Sequence, residues 1–318
     1  MTTTTAGSSS NTLRSAHVVE TTANTTPATP AFKTQHTPAL FDDSVTRYSQ
    51  ASLVGRGGPI GDTLLNREAK GSITNAAMTY GVFDQYFESL MQSAWAADTM
   101  TDALLTQSFT FENTITAGVA GANSIKRYKG TEVIDGMIKV PADGVITCDF
   151  NLLGRQSFDS DASAIAGATY TAPTNNDPFS AAIDFTSIAF AGLTFDDVVD
   201  LEISLGYTGK DPQPKITGDV LVGIARGAPN FRLKGKVYVG ANLSALYDLP
   251  RQPTNTAFKI TVNLGSVTLK KYRLEFWKCY AQFATSDYTA PNAFINFEAL
   301  ATYSTSDNGY LTMTRALA

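Results

Sequence analysis

Apolar and polar residues alternate with a period of two along much of this chain. In "VDLEISL", Val199, Leu201, Ile203 and Leu205 fall on one face and Asp200, Glu202 and Ser204 on the other. "DVLVGIA" places Val220, Val222 and Ile224 together, and "FKITVNL" does so with Phe258, Ile260, Val262 and Leu264. "KYRLEFWKCY" and "FINFEALATY" are similar but richer in aromatics. Repeated alternation with Gly, Pro, Asn and Asp between the runs predicts an all-β chain of two packed antiparallel sheets, a sandwich or partial barrel. "RYKGTEVIDGMIKVPADGVITCDFNLLG", Arg127 to Gly154, reads as three short strands with turns at Asp135-Gly136 and Ala142-Asp143-Gly144. One segment departs from the pattern. In "VFDQYFESLMQSAW", Val82, Tyr86, Leu90 and Ala94 recur every fourth residue beside Phe83, Phe87 and Met91, which predicts a single helix flanking the sheets.

The first 40 residues differ from the rest: 12 are Thr, and Arg14, Glu20 and Lys33 are the charged ones. Such a stretch has too little apolar surface to fold alone. The chain therefore divides into an extended N-terminal arm (1–40) and a β-sandwich domain (41–318), the arm lying against a neighbouring subunit and not its own core. Two long polar connections stand out, Asp42 to Gly71 with "VGRGGPIGD" and Gly154 to Ser180. Loops of that length in a compact domain are commonly bound by partners, and the second is expected at a subunit boundary or an outer surface.

Chemistry is scarce. The two histidines, His17 and His36, both sit in the arm, so a triad or a histidine metal site would have to be built there. Cys148 and Cys279 match no zinc or redox spacing and read as two buried thiols. "GRGGPIG" lacks the Lys-Ser/Thr pair of a phosphate loop. The carboxylates Asp197, Asp200 and Glu202 could serve a glycosidase or lyase, but a solvated acidic strand face is the simpler reading. No catalytic residue, cofactor or metal is expected. No apolar run is long enough for a membrane helix, and the N-terminus lacks the basic and apolar regions of a secretory signal, so a soluble, cytoplasmically made protein is expected.

The charge distribution says more than any motif. The chain has 24 Lys and Arg against 29 Asp and Glu, a net of −5, which argues against a general nucleic-acid binder. Yet Lys215 to Lys278 holds 11 basic and three acidic residues, a net of +8, leaving −13 for the remainder. Two halves of opposite sign suit head-to-tail association, or they neutralise each other within one monomer.

The order of segments resembles the phage tail tube (major tail) proteins of long non-contractile-tailed phages. The resemblance runs through "VVETTANTTPATPAF", "GSITNAAMTYGVFDQYFESLMQSAW", "SFTFENTI", the Arg127–Gly154 stretch, "VVDLEISLGYTG" and "KITGDVLVGI…LKGKVYVGANLSALYD". It does not account for "MTTTTAGSSSNTLRSAH" or the length of the Gly154–Ser180 loop. It implies a virion protein, assembled in the host cytoplasm, that stacks with itself as hexameric rings. The tape measure protein and tail terminator are implied partners, and double-stranded DNA passes through the lumen without specific binding. The alternative within structural proteins is a tail terminator or baseplate hub component. A lumen that conducts DNA is expected to be acidic or neutral, with Asp200 and Glu202 facing it. Lys234, Lys236, Lys270 and Lys271 are then expected at subunit contacts.

Overall fold

The computed structural model describes residues 13–42, 46–51, 59–66, 69–116, 123–161, 163–190, 193–195, 198–214, 221–239, 248–251, 257–287 and 293–317. The strands of the first half are β1 (Leu13–Val19), β2 (Ala31–Thr34), β3 (Leu40–Asp42), β4 (Thr46–Ala51), β5 (Pro59–Asn66), β6 (Ala69–Ala77), β7 (Thr99–Thr101), β8 (Phe109–Thr116), β9 (Asn123–Val140), β10 (Thr147–Gly154) and β11 (Gln156–Asp161). Those of the second are β12 (Thr169–Thr171), β13 (Phe185–Phe190), β14 (Leu193–Phe195), β15 (Val198–Gly206), β16 (Lys210–Gln213), β17 (Gly223–Arg226), β18 (Arg232–Tyr238), β19 (Phe258–Leu264), β20 (Tyr272–Asp287), β21 (Phe294–Thr302) and β22 (Leu311–Arg315). Helix α1 spans Asp84–Met91 and a single-turn α2 spans Ala181–Asp184.

The period-two reading is right in kind: the chain is mostly strand. Eighteen strands join in one hydrogen-bonded sheet, with β4–β5 and β16–β17 as separate hairpins, and the described strands do not close into a barrel. Two long strands link its parts. The first half of β9 pairs with β8 and β11, its second half with β10 and β15. Likewise β20 pairs with β22 over Tyr272–Phe276 and with β21 over Lys278–Asp287. From β9 the sheet continues through β15, β18 and β21 to β20, and beyond it through β19 to β13 and β14. Alternate residues of these strands, among them Ile138, Leu201, Ile203, Leu233 and Val262, are buried in one core cluster.

Several expectations need correction. Asp135-Gly136 is not a turn: it lies inside β9, where Ile134 is an extra residue opposite the Asn151–Leu152 step of β10, a bulge. Gly136 is required there by close approach, because a Cβ would come within 2.6 Å of Leu90 Cδ2 on α1. The helix is shorter than Val82–Trp95. Gln92 turns left-handed (φ 49°), and Trp95 folds back so that its indole N–H donates to the Asp84 carbonyl at 3.3 Å. The Asp42–Gly71 connection contains the β4–β5 hairpin, while most of "GRGGPIG" lies outside the described residues. Of "DVLVGIA", only the last three residues, Gly223, Ile224 and Ala225, are strand, as part of β17, and Val220 lies outside the described residues.

The arm is corrected too. Residues 13–42 pack on the subunit's own core: β1 pairs with β8 from Leu13↔Ile115 to Val19↔Phe109 and also with β2, and Ala16 and Phe32 are fully buried. Composition understated this segment because a few of its apolar side chains, Ala16, Phe32 and Ala39, are fully buried. The Gly154–Ser180 segment contains β11, antiparallel to β9, and β12, which pairs parallel with β2. Most of its described side chains are nevertheless exposed.

Buried charges tie these pieces together. Glu112 on β8 is enclosed; it accepts hydrogen bonds from Arg127 Nε at 2.9 Å, Tyr170 Oη at 2.7 Å and Arg14 Nη2 at 3.3 Å. Arg127 also pairs with Asp161 and donates to the Ser163 carbonyl at 3.1 Å. Glu132 on β9 holds Arg155 at 2.9 Å and Arg226 at 3.1 Å, and Arg226 donates to the Ser89 carbonyl in the last turn of α1 at 2.8 Å.

The seat of α1 on β9 gives a first expected result. Gly136→Ala alone should destabilise by about 1–3 kcal/mol, since the enclosed Leu90 has nowhere to go. Leu90→Ala alone should cost about 2–5 kcal/mol. Chemical denaturation of the double variant should then show a loss clearly smaller than the sum; strict additivity would mean that the two groups do not compete for one space.

Candidate assembly and lumen surfaces

The residues singled out from sequence fall on two parts of the fold. Asp200 and Glu202 lie on β15, where Leu201, Ile203 and Leu205 point into the core and the polar alternates point outward. That local reading holds. The register then adds what the sequence did not show: Asp200 is opposite Lys236 and Glu202 opposite Lys234 on β18, while Glu202 is also opposite Lys139 on β9. Directly paired residues of antiparallel strands share a face. The carboxylates expected to line a lumen and two of the lysines expected at subunit contacts are therefore neighbours on one surface.

This surface is a ladder of alternating sign. On β10, Asp149 takes a hydrogen bond from Lys139 Nζ at 2.5 Å, which raises the lysine's pKa. Beside it comes the acidic row of β15 and then the basic row of β18. Next, Lys234 stands opposite Glu298 on β21, and Arg232 Nη1 reaches that carboxylate at 2.6 Å. Lys236 Nζ lies 3.3 Å from Asp287 and 4.3 Å from the centre of the Phe294 ring. Partial loss of hydration, and secondarily the Glu202 charge, raise the pKa of Asp200, with Lys236 opposing them. Asp197 lies outside the described residues.

The ladder also bears on the charge segregation along the chain. Arg226–Glu132, Arg232–Glu298 and Lys236–Asp287 each join the basic segment to the acidic remainder within one subunit. To that extent the two halves neutralise each other by folding back. These partners were invisible in the sequence because each pair is separated by 51 residues or more.

Lys270 and Lys271 occupy the turn between β19 and β20, away from the ladder. Lys270 is exposed, and its Nζ donates to Asn176 Oδ1 at 2.7 Å. The same turn is fastened to α2: the Gly265 N–H donates to the Asp184 carbonyl at 2.7 Å, and the Ser266 N–H and Oγ donate to Asp184 Oδ1 at 2.9 and 2.6 Å.

Both histidines border a cleft of about 940 Å³ between β2, the start of α1 and the segment around Pro173–Pro178. His17 is buried in its wall. Its Nε2 pairs with Gln85 Oε1 at 3.0 Å, and its Nδ1 accepts from the Tyr86 hydroxyl at 2.9 Å and Gln35 Nε2 at 3.1 Å. Burial lowers its pKa to about 4, the Gln85 hydrogen bond opposing and the Lys33 charge assisting. With amides and a phenol as partners instead of a carboxylate and a nucleophile, His17 ties β1 to α1 in a neutral state. Sequence reasoning missed this tie; the signal was a histidine inside the alternating run "SAHVV".

Cys148 and Cys279 are separate buried thiols, and burial raises the pKa of both. Among the described residues, no group of three or more His, Cys, Asp or Glu is placed to hold a metal ion. No described helix is long and apolar enough to cross a membrane.

Among known families, the chain matches the one described as phage tail tube protein, over residues 10–304. No curated protein matches the chain.

Proposed function

The chain belongs to the phage tail tube protein family, and from that premise we propose that it stacks with itself, as hexameric rings, into the tube through which the genome leaves the virion. The observation that carries this reading is the match over nearly the whole chain. The fold supports it: a mostly β subunit with several strand edges can extend its sheets into a neighbour's, using the edge pairing that monomeric proteins suppress. The role is structural, with no catalytic step. Assembly in the host cytoplasm and contact with a tape measure protein and a tail terminator belong to the same proposal.

Asp200 and Glu202 are proposed to face the lumen. Lys234 and Lys236 then come with them, because they are the cross-strand partners. A lumen of this kind is charge-balanced. Its ammonium groups already have carboxylate neighbours, so phosphates gain little by displacing them, and counterion release gives the duplex no strong hold. Lys270 and Lys271 are left as the proposed contact lysines. Negative-stain microscopy of the purified protein tests the reading. Filaments that lengthen with protein concentration are expected, whereas single rings that never stack would favour a terminator or hub component.

A further inference from the structure

Two exposed apolar patches stand at opposite ends of β22. The first is built on short loops. Ile183 on α2 is 67 % exposed, and Val267 and Leu269 in the β19–β20 turn are also well exposed. Asp184 clamps that turn to α2, the Leu269 N–H donates to the Leu317 carbonyl at 2.8 Å, and the Ala181 N–H donates to the Gly144 carbonyl at 2.9 Å. The apolar side chains are thus displayed on a fixed frame.

The second patch lies beside the start of β22. Leu104 is 90 % exposed, the highest value among the large apolar residues described, and Leu105 and Tyr303 are exposed with it. Here too the backbone is pinned. The Leu105 N–H donates to the Gln92 carbonyl at 2.7 Å, and the Asp102 carboxylate accepts from the Tyr310 and Leu311 N–H groups at 2.6 and 2.8 Å. The hairpin that carries Tyr303 packs on this segment, since a Cβ on Gly309 would lie 2.6 Å from Thr101 Cγ2. From Leu311 to Arg315 the strand advances about 13 Å, so the two patches are distinct surfaces.

Single exposed leucines are ordinary, but clustered and rigidly held ones mark contact surfaces. The charges at their edges are complementary. Lys270, beside the first patch, has a neutral hydrogen-bond partner in Asn176. Asp307, on the hairpin of the second, is held by the Ser304 and Ser306 hydroxyls at 2.5 and 2.8 Å. We propose that the patch of Ile183, Val267 and Leu269 on one copy docks against the patch of Leu104, Leu105 and Tyr303 on the next, with Lys270 facing Asp307. Unlike surfaces at the two ends of one strand make a head-to-tail contact, which passes on from each copy to the next. This inference rests on the tube reading and deepens it by naming the contact.

The test places Ile183→Cys and Leu104→Cys in one chain. Cys148 and Cys279 are buried, so a short bis-maleimide reacts at the new pair. Treating the assembled protein should give a covalent ladder extending past the dimer, since each copy offers one thiol to each of two neighbours. Leu104→Asp, a surface change, should leave the melting curve in place and reduce assembly at least tenfold. Tubes without a ladder overturn the contact but leave the tube reading standing, as does a product that stops at dimers. Wild-type protein that forms no tubes, together with a cysteine variant that gives no ladder, overturns both.

Discussion

Glu112→Gln is expected to destabilise the protein by about 3–5 kcal/mol, the usual cost of leaving a buried charge without its partner. The side chain of Glu112 is fully enclosed, and that of Arg127, 2.9 Å away, is 5 % exposed. A neutral amide cannot answer the guanidinium, and it also weakens the links to Arg14 on β1 and Tyr170 on β12. At a few degrees per kcal/mol for a chain of this size, the melting temperature should fall by roughly 10 °C. Replacing both partners, as Glu112→Leu with Arg127→Leu, should recover part of the loss, because apolar residues of similar volume often substitute for a buried pair at little cost. A double variant weaker than the single one would show that Arg127 is held mainly by Asp161 and the Ser163 carbonyl.

Acidification should weaken the fold through His17. Its folded pKa of about 4 lies below the unfolded value of 6.5. As the pH falls, the unfolded chain therefore takes up a proton that the folded chain excludes. The stabilising effect of the neutral imidazole is complete above about pH 6.5 and is lost as the pH drops to about 4, a change of about 3 kcal/mol. Denaturation curves at stepped pH should show this slope in the wild type and lose most of it in His17→Gln. If the two proteins kept parallel pH profiles, the titration would belong to other groups. The consequence reaches the N-terminal segment, because His17 joins β1 to α1 through Tyr86 and Gln85.

The period of two made β15, β19 and the core parts of β20 and β21 legible, because their alternate residues meet one continuous core. Asp135-Gly136 misled for a physical reason. Glycine serves both tight turns and close backbone approach, and only the position of Leu90 distinguishes the two uses. The β4–β5 hairpin was missed, since "TRYSQA" and "PIGDTLLN" carry few apolar residues in alternation. For β1 and β2, Thr-rich composition concealed that Ala16 and Phe32 fall on the buried side. Of the candidate site, the outward direction of Asp200 and Glu202 was readable from β15 alone. Their lysine neighbours were not, because cross-strand register is a property of two distant segments.

The proposed assembly is a tube of this subunit whose inner wall carries the β15–β18 ladder. A cryo-electron microscopy reconstruction of the assembled protein, at a resolution where side-chain direction is visible, tests it most directly. Stacked rings around an open channel are expected, with Asp200, Glu202, Lys234 and Lys236 lining the channel as alternating rows. Discrete oligomers that do not stack would contradict the tube. A stacked tube with those four residues on its outer wall or buried between subunits would contradict the lumen assignment.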